Sequence, residues 1–249
     1  MKKKTNMMSW AKEIFPYHRS LTGEGTLKTL FFIKKRINKK FKINSVKSGK
    51  SVYDWKIPLE WSIKKATIDY NGKKIIDVSD NNLHIVQYSK PFRGKVSFKE
   101  LKKHLYFIKN KPNAIPYVTS YYKKKWGFCI SYNQYKKLKK SGKYDIHIDT
   151  KLTKGEMNYG EYFIKGKSKK EILLVSYICH PSMANNELSG ILLSMSLIKY
   201  LKKSKYSLRI ILIPETIGAI NFIEKNLSHL KKNLIAGFNL TCIGDYGKF

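Results

Sequence analysis

The stretch that decides the fold is Glu171–Gly190, EILLVSYICHPSMANNELSG. Its first nine residues, Glu171–Cys179, form an almost continuous apolar run. That suits a strand buried on both faces. After a polar loop the apolar positions resume at helical spacing from Leu188 to Leu201. The alternation then repeats. LRIILIP (208–214) reads as a second buried strand, Gly218 to Leu230 as a helix, and IAGFNLTC (235–242) as a third strand. Strands alternating with helices predict a parallel α/β sheet.

Upstream the period changes. Two helical stretches lie between Met8 and Arg36, joined by PYHRSLTGEG (16–25), and Phe41–Val46 alternates as a strand does. From Trp55 to about Phe98 the spacing is two. WSIKKATIDY, KKIIDVSD and LHIVQYS read as strands separated by turns at Asn71-Gly72 and Asp80-Asn81. A helix over Phe98–Lys109, strands at Val118–Tyr122 and Trp126–Ile130, a basic helix over Tyr132–Lys140 and a strand at Asp145–Leu152 complete the reading. The expected organisation is therefore residues 1–56 as the first part of a core, 57–140 as a β-rich inserted domain, and 141–249 as the α/β part of the core.

Composition bounds the function. The chain has 249 residues with 42% apolar content, enough for a sizeable core. Fifty basic residues stand against 17 acidic ones, a formal charge of +33. Such a charge suggests a polyanionic partner. Only Arg19, Arg36, Arg93 and Arg209 are arginine, however, and the lysines are dispersed along the whole chain. Nucleic-acid recognition leans on the arginine fork, so no specific nucleic-acid partner is expected and a base-composition bias explains the lysines. Three scattered cysteines make no disulfide framework and no CxxC knot. The opening MKKKTNMMSW is basic, but no apolar run follows it, and no segment approaches the length of a membrane span. A cytoplasmic protein without a membrane span is expected, with homo-oligomerisation left open.

Parallel α/β sheets bind ligands at the carboxyl ends of their strands. Here those ends carry His180 and Glu187, then Glu215, then Asp245. An imidazole with carboxylates suits zinc or a similar divalent ion, and a further Glu suits a general base. Taken singly, each residue also fits a structural role. His180 can end a strand, Glu187 and Glu215 can favour helix N-termini, and Asp245 can form a turn. His84, His104, His147 and His229 read as structural or exposed. Arg19, in the N-terminal turn, either buttresses the core or binds a carboxylate.

Five segments occur in order: FPYHRSLTGEGTLKTL (15–30), IPLEWSIKKATI (57–68), NNLHIVQYSKP (81–91), IPYVTSYYKKKWGFC (115–129) and ICHPSMANNELSG (178–190). Together they resemble the aminopeptidase-like proteins with a DUF4910 core and a DUF2172 insert, which in turn resemble M28-type zinc aminopeptidases. The resemblance implies a phosphorylase/hydrolase-like α/β core with a β-rich insert. It also implies hydrolysis of a peptide or amide bond in a small substrate, with a metal-activated water. Such proteins are often encoded among surface-polysaccharide genes, so a non-catalytic binding role in that biosynthesis is the alternative.

The carry-over of the site is partial. Ser189-Gly190 matches the family's Ser-Gly pair, and Glu215 matches the general base. Asn185-Asn186-Glu187 stands where a metal-bridging Asp is expected, and Thr216 stands where a second Glu would be a ligand. The loss of carboxylates argues for one metal ion rather than two, held by some of His180, Glu187 and Asp245. The chain stops soon after the third strand, so the C-terminal part of the core, with a final His ligand, is expected to be missing.

Overall fold

The computed structural model describes residues 7–201 and 204–247, which divide into two compact units, 1–59 with 154–249, and 60–153. The basic opening MKKKTN lies outside the described residues. The expected division fell at 57 and 140. The observed one follows the strand Lys143–Thr153, which lies between two partners in the second unit's sheet.

In the first unit the chain forms helices α1 (Met7–Ile14) and α2 (Glu24–Ile37) and strand β1 (Lys42–Lys47). After a two-residue hairpin it leaves for the second unit and returns as β2 (Glu156–Ile164), β3 (Ser168–Tyr177), α3 (Ser189–Tyr200), β4 (Tyr206–Ile213), α4 (Ile217–Asn233) and β5 (Leu234–Asn239). The five strands make one sheet in the order β1-β2-β4-β3-β5. Strands β3, β4 and β5 are parallel, as the alternation predicts. Strand β2 runs antiparallel to both β4 and β1, so the sheet is mixed.

Alternate residues of β4 serve opposite faces, as strand geometry requires. Ile210 and Leu212 join Trp10, Ile14, Leu30, Ile33 and Ile191 under α1, α2 and α3. Ile211 and Ile213 join Tyr159, Phe222 and Leu230 under α4. Both faces of the sheet are thus covered, and the continuous apolar reading of β4 follows from that. The register pairs Tyr177 with Ile213 and Val175 with Asn239. The carboxyl ends of all three parallel strands therefore open on the same edge.

The second unit is a four-stranded antiparallel sheet in the order Lys73–Asp77, Glu60–Tyr70, Lys143–Thr153, Phe92–Ser97. Asn71 and Gly72 both have positive φ, 49° and 74°, as a tight two-residue hairpin turn demands. Leu83–Ser89 is not the expected strand. Asn81 Oδ1 caps the Leu83 N–H and starts a single 3-10 turn, Asn82–His84, and two isolated bridges follow. Tyr88, with φ 65°, breaks the extended path there. The expected helices after Phe98 and Tyr132 are one turn each, Phe98–Lys102 and Tyr132–Lys136. The strand expected at Val118–Tyr122 is reduced to a bridge at Thr119, and that at Trp126–Ile130 to Phe128–Cys129. No helix among the described residues is long and apolar enough to cross a membrane.

Candidate functional site

The site lies where β3 and β4 end. Beyond β3 the chain continues through buried Ile178 and Cys179 to His180, which is 5% exposed. It then turns at Ser182, whose φ is 49°, into one π-helical turn over Ala184–Leu188 before α3 begins. Wide turns of this kind recur at functional sites. This one places Glu187 at zero exposure beneath His180.

Glu187 is the most heavily bonded side chain in the site. Its Oε2 accepts from the Cys179 N–H at 2.8 Å, the His180 N–H at 2.5 Å and the His180 ring at Nδ1, 2.8 Å away. Its Oε1 accepts from Arg19 Nε at 2.7 Å. Arg19 is itself fully buried, and its Nη1 donates to the Ile14 carbonyl at the end of α1. The question the sequence left open is answered: Arg19 binds a carboxylate and does so inside the core.

The other ring nitrogen of His180, Nε2, lies 3.1 Å from Glu215 Oε2. Glu215 is the partly exposed member, with 44% side-chain exposure. Its backbone N–H donates to Cys179 Sγ at 3.2 Å, which ties the end of β4 to the end of β3. Thr216, the next residue, has φ 58° and ψ −86°. Non-glycine residues adopt such angles only where the surroundings enforce them, most often at functional sites. Burial lowers the pKa of His180, but hydrogen bonds to the Cys179 sulfur and to Glu187 outweigh it and raise the value to about 11. Burial pushes the Cys179 thiol up as well, so it stays protonated.

Asp245 is not brought to the histidine. Its Oδ2 accepts from Asn185 Nδ2 at 2.5 Å and its Oδ1 from the Gly247 N–H at 2.8 Å. The segment 241–247 is pinned to the π turn by further bonds, Thr241 Oγ1 to the Asn186 carbonyl and the Ile243 N–H to Ser189 Oγ. Asn186 Oδ1 is buried and has no hydrogen-bond partner among the described residues.

The donors suit a divalent cation. Cys179, His180 and Glu187 present ligand-type atoms within 4.8 Å of one another. A ring whose Nδ1 is bonded to a carboxylate is the usual form of a metal-bound histidine; here the raised pKa keeps a proton on Nε2 facing Glu215, and an ion binding there would displace it. The orphaned carboxamide oxygen of Asn186, in the same π-helical turn as Glu187, costs desolvation unless something pairs with it. The structure brings the expected His180, Glu187 and Glu215 together. Cys179, which read only as a stray thiol, lies beside them, and Arg19 pairs with Glu187, which no local pattern announces.

The mixed α/β sheet has the fold of zinc aminopeptidases, and it carries a histidine–carboxylate cluster at its strand ends. The chain belongs to the family of domains of unknown function called DUF4910, whose model matches residues 8–249. It is 44% identical over 239 residues to a Clostridium acetobutylicum protein whose name gives it a place in polysaccharide biosynthesis and an aminopeptidase-like domain. That match covers 95% of this chain and 54% of the relative, so the chain spans about half the relative's length. The crystal structure of a candidate peptidase from the same organism superposes with a TM-score of 0.92 at 43% identity, over 97% of this chain and 57% of that one. A zinc aminopeptidase from Bacillus subtilis superposes with a TM-score of 0.65 at 13% identity, covering 96% and 67%. An M28 peptidase precursor from Shewanella amazonensis gives 0.58 at 11%, covering 92% and 68%. These two distant likenesses show the fold.

Proposed function

We propose that this chain carries the metal-binding and base-bearing part of an aminopeptidase-type hydrolase that cleaves a peptide or amide bond in a small substrate. The observation that supports this most is the His180 ring held between two carboxylates, with Nε2 directed at Glu215. In this reading His180 holds one zinc or similar ion through Nε2, beside Glu215. When bound, the ion would polarise the scissile carbonyl and acidify a water. Glu215, half-exposed and anchored through its backbone to Cys179, takes the proton from the attacking water and returns it to the leaving amine. One ion rather than two fits the charge, because Asn185-Asn186-Glu187 and Thr216 stand where the resemblance implies a bridging Asp and a second Glu.

The test is zinc content together with hydrolysis of aminoacyl-p-nitroanilides by the wild type and Glu215→Gln. A general base contributes about 10²- to 10⁴-fold, so the variant should lose activity on that scale while keeping its zinc. Equal rates in the two proteins defeat the reading. A second reading, a binding protein in polysaccharide assembly, is favoured by the same Asn186 and Thr216. It predicts binding of amide-bearing sugars that a chelator leaves unchanged.

A further inference from the structure

We infer that Arg19 and Glu187 are a positioning pair for His180, and that Glu187 is not itself a metal ligand. The inference rests on the reading above for the ion at Nε2, and it assigns a task to the N-terminal motif PYHRSLTGEG.

An ionised carboxylate offers about four acceptor sites. Glu187 already receives four donors: Arg19 Nε on Oε1, and the Cys179 N–H, the His180 N–H and the His180 ring on Oε2. A cation on Oε2 would displace two backbone N–H groups that have no water to turn to, because Cys179, His180 and Glu187 are all buried. Oε1 faces a guanidinium, which repels a cation. Oε2, the oxygen that holds the ring, is thus filled by its three donors, and Oε1 is taken up by Arg19.

A carboxylate at zero exposure needs a countercharge, and Arg19 supplies one from the side away from the His180 ring. Its backbone is held at several points, although its Nη2 is buried with no hydrogen-bond partner among the described residues. A side chain at Gly25 would meet the His18 carbonyl, so α2 starts in direct contact with the 18–19 backbone. Thr26 Oγ1 donates to the Ser20 carbonyl at 2.5 Å, and the Ser20 N–H donates back to Thr26 Oγ1 at 3.2 Å. The turn, the glycine and the threonine together fix where the guanidinium sits, the guanidinium fixes Glu187, and Glu187 fixes the ring so that Nε2 points at Glu215.

The test compares wild type, Glu187→Gln, Arg19→Lys and the paired Arg19→Met/Glu187→Gln. The paired variant matters because losing one member leaves a buried charge alone, whereas losing both does not. In metal-free protein labelled with ¹⁵N-histidine, the His180 Nδ1–H should give a downfield, slowly exchanging proton signal. Arg19→Lys should keep it and the paired variant should lose it. Zinc affinity, read by competition with a chromophoric chelator, should fall roughly 10- to 100-fold in the paired variant. His180→Ala should abolish it. A folded paired variant that keeps both the signal and the affinity overturns the inference. So does a loss of zinc binding as complete as that of His180→Ala, because that would make Glu187 a ligand. If wild type binds no zinc, the hydrolase reading fails, and the proton signal still decides the positioning role.

Discussion

Gly25→Ala is the sharpest single test of how the N-terminal turn supports the site. Position 25 lies in the first turn of α2, where alanine ordinarily stabilises a helix by about 1 kcal/mol over glycine. Here a Cβ would sit 2.1 Å from the His18 carbonyl oxygen, 2.3 Å from its carbon and 2.9 Å from Arg19 N. All three are backbone atoms, so no side chain can rotate away. Reaching ordinary contact needs roughly 1–1.5 Å of separation between α2 and the 18–19 segment. Overpacking of this sort costs about 1–3 kcal/mol. The same shift draws Arg19 off Glu187 and exposes the site to the larger cost of a broken buried pair, about 3–5 kcal/mol. Even partial loss of the pair outweighs the helix gain, so a net destabilisation of about 2–5 kcal/mol is expected. Urea unfolding followed by far-ultraviolet circular dichroism measures it, and the His180 ring proton reports the displacement independently. A Gly25→Ala protein as stable as wild type, with the ring signal intact, would refute the close-packing argument.

Three further outcomes are expected. Glu171 is buried, and although burial itself favours the protonated acid, Arg209 and His229 hold its pKa below the usual carboxylate value. A depressed carboxylate contributes stability above its unfolded pKa and loses it as pH falls through the folded one, so Arg209→Gln should begin acid unfolding at a higher pH than wild type. An unchanged acid midpoint would count against the coupling. Of the three cysteines, Cys129 is buried with its thiol pushed up to about 12 and Cys179 is also buried, while Cys242 is exposed. A disulfide exchange reagent at pH 8 should therefore label one thiol in the folded protein and three after denaturation, and faster labelling of a second would contradict the burial. Ile211→Ala opens a cavity between β4 and α4 and should cost about 2–5 kcal/mol by denaturant midpoint; a smaller loss would mean that the α4 face collapses to fill it.

The α/β half of the molecule was legible because its signals are local. Apolar runs at Glu171–Cys179 and Leu208–Ile213 and the helices between them follow from burial on both faces. The β-rich half was harder. Leu83–Ser89 alternates like a strand, but the Asn81 side chain captures the Leu83 N–H and the chain turns instead. Short elements such as Phe98–Lys102 end where tertiary contacts take over from propensity. In the site, His180 and Glu215 could be found because strand ends in parallel sheets are privileged positions. Asp245 passed the same filter and yet bonds to Asn185. Which carboxylate turns inward depends on the loop path after each strand, and spacing does not encode that. Cys179 was invisible for a related reason, since its use as an acceptor for the Glu215 N–H arises only when two strand ends meet.

The pairing of Arg19 with Glu187 joins residues 168 positions apart, and this bears on the order in which the molecule takes shape. During synthesis Arg19 emerges long before its partner, with the whole second unit, residues 60–153, made between them. Closing so long a loop is only modestly dearer than closing a shorter one, since each doubling adds about 0.6 kcal/mol, but distant contacts of this kind form late and slowly. The parallel strands can associate before the N-terminal segment docks. The His180 ring cannot take its final orientation until it has. The His180 cluster is then the last part of the unit to mature, and a chain with its first helices displaced could hold its sheet and still leave the ring unplaced.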